Sequence, residues 1–190
     1  PLSGTHRVTR ASGSTVHEID GRPAWDVWVE ETRAAALRDG VDPATLGDDE
    51  VGAFLLRYEA GLATGSEHKI RAPLSRGRDG SLSFACGIAE GAELVITSST
   101  PEQQIESARQ AALRARAARG DRRPAGAVVF DCICRNLILG KDFELAIRAI
   151  TEALDDVPVA GFQTYGEIAL GQGDLSGFHN TRTVVLAFPA

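Results

Sequence analysis

The sequence predicts an α+β fold, a mixed and mostly antiparallel β-sheet with helices packed on its face. Two observations carry that expectation: hairpin-like segments that alternate apolar and polar residues lie early in the chain, and two β-α-β passages lie late in it. Residues 7–11 and 15–19 alternate around Ser12-Gly13-Ser14 and read as a hairpin, after which Asp20-Gly21 turns the chain into a helix opened by Pro23. Trp25, Trp28, Val29, Thr32 and Ala36 share one face of that helix, so the spacing alone assigns both tryptophans to a core rather than to a cofactor shelf. A turn at residues 40–43 leads to a second helix striped by Val51, Phe54, Leu55 and Tyr58. Strands are expected near residues 68–74, 81–86 and 93–97, joined by turns short enough for antiparallel neighbours. Thr100-Pro101-Glu102-Gln103 is a capping-box start with proline at the first helical position, and the helix it opens runs past Ile105, Ala108 and Ala112 until Gly120. Residues 127–134 form an apolar strand. Residues 142–154 form a helix with Phe143, Ile147, Ile150 and Leu154 inward, and residues 157–162 and 183–188 form further strands.

At 190 residues and 43% hydrophobic, the chain can bury a core, and one domain over residues 1–190 is expected. Its 20 Lys+Arg against 26 Asp+Glu give a net charge of -6, which disfavours nucleic acid and anionic membrane surfaces as partners. Arg109, Arg114, Arg116, Arg119, Arg122 and Arg123 are the one basic concentration. At helical spacing they surround an alanine stripe, as on a solvated helix face. Three cysteines, Cys86, Cys132 and Cys134, leave one thiol over in any disulfide scheme and point to a reducing compartment. No apolar run approaches the ~18 residues of a spanning helix, and no leader pattern opens the chain, so a cytoplasmic location is expected. The absence of methionine reads as truncation of a longer protein.

The most informative stretch is Gly161-Phe162-Gln163-Thr164-Tyr165-Gly166-Glu167-Ile168, followed by Phe178-His179-Asn180-Thr181. Polar groups gather there where glycines let the backbone turn sharply, the usual construction of a ligand site. The candidate ligand-binding residues are Cys132, Arg135, Tyr165, Glu167, His179 and Asn180. Arg135 and Glu167 admit two readings: a salt bridge closing a rim, or a clamp in which Arg135 takes an α-carboxylate and Glu167 an ammonium. Tyr165 suits a ring wall with a hydroxyl handle, while Phe162 and Phe178 are better core rings. His179 is a structural hydrogen-bonding residue, a site residue, or a haem axial ligand facing a flat apolar cavity. Cys132 and Cys134 alternate on one strand and point to opposite faces, which excludes a two-sulfur clip. A Cys132, His179, Glu167 triad lacks any oxyanion-hole motif, so the chain is not expected to be an enzyme. Gly166, Gly171, Gly173 and Gly177 make no phosphate loop, and His6, His17 and His68 show no metal spacing.

With Phe130-Asp131-Cys132-Ile133-Cys134-Arg135 and the earlier Val16-His17-Glu18-Ile19-Asp20-Gly21-Arg22-Pro23-Ala24, these strings resemble the C-terminal domain of FIST proteins over residues 8–188. The N-terminal FIST half is missing from this sequence. The resemblance implies a bacterial intracellular sensor of signal transduction that binds a small ligand, an amino acid or related metabolite, and feeds an output protein such as a kinase or cyclase. It also leaves two alternatives, a haem-based nitric-oxide sensor and a protein-interaction scaffold. Only the haem alternative brings a cofactor.

Overall fold

Alternation at the start of the chain gives the expected hairpin: β1 (His6–Ser12) and β2 (Thr15–Ile19) pair antiparallel, with Gly13 at φ +58° in the turn between them. The computed structural model describes residues 1–64, 67–118, 120, 122–169 and 177–190, and its backbone divides into two units, Pro1–Ser98 and Ser99–Ala190.

In the first unit, β3 (Arg22–Pro23) leads into α1 (Ala24–Arg38), and α2 (Asp48–Leu55) follows. Then come β4 (Glu59–Thr64), β5 (Glu67–Arg71), β6 (Pro73–Arg76), β7 (Leu82–Phe84) and β8 (Glu93–Thr97). The sheet runs β5-β4-β8-β1-β2-β7-β6, with β3 paired to β2, and its pairs are antiparallel. Its core is aromatic. Trp28 is fully buried and its indole Nε1 donates to the Tyr58 carbonyl at 3.1 Å, while Trp25 meets Phe54 edge-on with centroids 5.9 Å apart. Both tryptophans are core anchors, as their spacing predicts. The helix bearing Val51 and Phe54 ends at Leu55, one turn before the expected stripe does, and Tyr58 is buried from the loop beyond it.

The second unit opens with α3 (Pro101–Ala117), whose capping box is complete: Gln103 N donates to Thr100 Oγ1 at 3.3 Å and Thr100 N donates to Gln103 Oε1 at 3.0 Å. Then β9 (Pro124–Cys132) runs into α4 (Ile133–Leu139), and α5 (Phe143–Ala153) leads to β10 (Val159–Thr164). A parallel pair needs such a crossover, and β10 lies parallel to β9. The hairpin of β11 (Glu167–Ala169) and β12 (Gly177–His179) follows, and β13 (Thr183–Pro189) returns antiparallel along the other edge of β9. Helices α3 and α5 pack together over the sheet, on a small-residue core of Ala108, Ala112, Ala127, Val129, Ala146 and Ile150. Antiparallel pairing dominates with helices on a sheet face, so the α+β class holds.

The strand carrying the cysteines stops at Cys132, and Cys134 and Arg135 sit on α4. The expectation that the two cysteines point to opposite faces of one strand therefore fails, because the apolar run Ile133 to Leu139 bends into a helix. Among the basic residues, Arg109 pairs with Glu106 at 2.8 Å and Arg116 with Asp155 at 2.7 Å. Arg119, Gly171 and Gly173 lie outside the described residues. Among the described residues no helix is long and apolar enough to cross a membrane.

Candidate functional site

Strand register brings the polar residues of the second unit together. Cys132, the last residue of β9, is level with Thr164 at the end of β10. Past Thr164 the chain turns at Gly166, whose φ of +138° few side chains tolerate, and the Phe178 ring occupies the space where a Gly166 Cβ would stand. That close approach lets β11 and β12 pair with Glu167 directly opposite His179, both buried. Thr164 Oγ1 donates to Glu167 Oε1 at 2.6 Å, and the Arg182 backbone N donates to Glu167 Oε2 at 3.3 Å. Burial pushes the Glu167 carboxyl up to about 8 in spite of the Thr164 hydrogen bond, so it is mostly protonated at neutral pH.

Cys132 lies against both Glu167 and the Cys134 thiol. The Cys134 contact and burial raise the Cys132 thiol far above the ordinary range, and it stays protonated at neutral pH. The nucleophilic form of cysteine is the thiolate. Cys132, Glu167 and His179 are thus near neighbours, yet the thiol is held in its unreactive form.

Arg135 belongs to a different network. Its Nε lies 2.7 Å from Asp131 Oδ1, an ion pair whose N–H is not aligned for a hydrogen bond. Its Nη1 donates to Gln104 Oε1 and, at 3.2 Å, to Ser107 Oγ, and its Nη2 donates to the Gln104 carbonyl at 2.9 Å. Thr183 Oγ1 donates to Asp131 Oδ1 at 3.1 Å. Arg135 is 1% exposed and Asp131 2%, so both charges are out of water and depend on each other. Burial raises the Asp131 carboxyl above its usual range, and the Arg135 guanidinium opposes that shift.

Asp131 also lines a groove of about 260 Å³ between α5 and β10. Its walls include Phe143, Ile147, Val159 and Phe162, with Gln163 beside Asp131 in the strand register. A Cβ at Gly161 would collide with the Val129 carbonyl oxygen, so glycine is needed for β10 to lie this close to β9. The groove is apolar apart from a few convergent polar groups, the usual composition of a small-ligand site, at a volume near the lower end for one.

Of the six residues singled out by sequence, Cys132, Glu167 and His179 come together around the β11–β12 hairpin, and Asn180 is buried next to them in the chain. Arg135 is engaged with Asp131, Gln104 and Ser107, and no ion pair joins it to Glu167 among the described residues. Tyr165 is 90% exposed and lines none of the groove. His179 is not a groove residue either, so the imidazole does not face that apolar cavity. The residue that sequence reasoning passed over is Asp131. Its signal was available: a carboxylate in the middle of an apolar strand is informative because such residues are rarely buried without a purpose.

The family model described as the FIST C domain matches residues 34–170 of this chain. No curated protein and no solved structure matches it.

Proposed function

We propose that this chain, which belongs to the FIST C domain family of signal-transduction sensors, is a sensory domain whose small ligand occupies the groove between α5 and β10. The observation that carries the proposal is the buried Asp131 carboxylate set in a groove whose other polar lining is only Thr151 and Gln163. A buried carboxylate is costly unless something uses it. The role is binding rather than catalysis, in keeping with the protonated Cys132 thiol. Two-point capture of an amino-acid zwitterion by Arg135 and Glu167 is not part of the proposal, because Arg135 spends its donors inside the fold. The bound state is passed to an output protein such as a kinase or cyclase.

A ligand-observed NMR screen of small metabolites tests this reading, run on the intact chain and on Ile147→Trp. Ile147 sits at the partly exposed rim of the groove, where a larger ring blocks entry at little cost to the fold. Binders lost in Ile147→Trp support the groove as the site. Binders that hold equally well to both proteins overturn it.

A further inference from the structure

Asp131 has one oxygen fully employed and one idle. Oδ1 faces Arg135 and accepts from Thr183 on β13, one neighbour of β9. Oδ2 is buried and has no hydrogen-bond partner among the described residues. The other neighbour of β9 is β10, where Gln163 is level with Asp131 and both residues line the groove. A buried acceptor without a donor carries the full cost of its desolvation, and a ligand that supplies the donor recovers it.

The charges around the groove select among donors. Asp131 is the one ionisable side chain among the described lining residues, and Arg135 already neutralises it. A cationic ligand would place a second positive charge beside that guanidinium with no second anion to balance it, and an anionic ligand would face a carboxylate with no cation on the walls. An uncharged donor meets neither penalty. The groove is walled by the Phe143 ring and the aliphatic carbon of Ile147 and Val159, with the backbone of residues 160–162 along one side. The Phe162 ring itself packs edge-on against Phe130, which alternates to the other face of the sheet from Asp131.

We propose that the groove takes an uncharged molecule with a flat apolar body and a single N–H or O–H donor, of the indole or phenol class, and that Asp131 Oδ2 accepts from that donor. This assignment rests on the groove being the ligand site, as argued above.

Indole and 1-methylindole separate the two ideas, since they share a body and differ in the donor. In a protein-observed NMR titration of the intact chain, indole should shift the amides of Gly161, Gln163 and α5, and 1-methylindole should bind the same place about tenfold or more weakly. Tryptamine and indole-3-acetate, the charged relatives, should also bind more weakly than indole. Equal affinity of indole and 1-methylindole overturns the hydrogen bond to Asp131 while leaving the groove as a site, and tighter binding of either charged relative overturns the requirement for an uncharged ligand. No groove shift with any of the four overturns the ligand class. A binder of other chemistry that Ile147→Trp excludes would then still uphold the groove. Asp131→Asn should reduce the preference for indole over 1-methylindole; an undiminished preference in a folded Asp131→Asn protein also overturns the assignment. If that variant does not fold, the four-probe comparison on the unaltered chain decides alone.

Discussion

The units Pro1–Ser98 and Ser99–Ala190 bury different kinds of matter. The first packs Trp25, Trp28, Phe54, Tyr58 and Phe84 into one apolar cluster, whereas the buried cluster of the second consists of alanine, valine, isoleucine and leucine with no aromatic ring. Beside that smaller core the second unit buries Asp131, Arg135, Glu167, His179 and Asn180. Rings in a core remove large apolar areas from water and leave few polar groups to satisfy, so they stabilise directly. A buried ion pair contributes little net stability, yet it is strongly destabilising once one partner is lost. The first unit buries charged side chains too, Glu59 and Arg71, so the contrast lies in what surrounds them: an aromatic core in the first unit, and a small aliphatic core beside the Asp131–Arg135 pair in the second.

The largest expected effects are of similar size in the two units but differ in kind. Trp28→Ala and Arg135→Met should each cost about 3–5 kcal/mol in chemical denaturation, the first by leaving a cavity and the second by stranding Asp131. Adding Asp131→Leu to Arg135→Met should return most of the loss, because it removes the stranded charge. If that double variant is no more stable than Arg135→Met, the cost in the second unit is one of shape, and the contrast collapses.

An effect of comparable order, up to about 5 kcal/mol across the window, is expected from pH. Glu167 is held at about 8 in the folded chain against an ordinary 4.5, so the folded state keeps a proton that the unfolded state releases. The contribution is fully present below about pH 4.5 and is lost as pH rises through 8. Stability should therefore fall across that window, and Glu167→Gln, uncharged at every pH, should remove this part of the slope. An unchanged slope in Glu167→Gln would assign the pH dependence elsewhere.

The smallest effect belongs to Tyr165. At 90% exposure it should tolerate Tyr165→Ser within about 0.5 kcal/mol and leave indole binding at the groove unaltered. A larger change in either measurement would give this ring a role that its position in the fold does not.

Local signals in the sequence carried the elements that local chemistry decides. The first hairpin, the tryptophan face of α1, the Thr100 capping box and the apolar strands β9 and β13 all rest on spacing within a few residues. What escaped was decided by distant partners. Strand β4 reads Glu-Ala-Gly-Leu-Ala-Thr, a poor strand by composition, and it forms because β5 and β8 flank it. Helix α4 escaped because a short apolar run does not reveal its own period. Strands β11 and β12, three residues each, passed for loop. The site followed the same rule: Glu167 and His179 stood out through their glycine and aromatic neighbours, but the partner of Arg135 lay four residues back in its own chain, inside a strand where only a register with β10 and β13 shows that Asp131 faces the helices.

The Phe178 ring seated on Gly166 helps hold together the strands that keep Glu167 out of water. With β11 and β12 paired, Glu167 keeps its proton at neutral pH; were that pairing lost, the carboxyl would meet water, revert to ordinary acidity and give the proton up. Loss of this pairing would therefore be coupled to release of one proton, and alkaline medium would favour it.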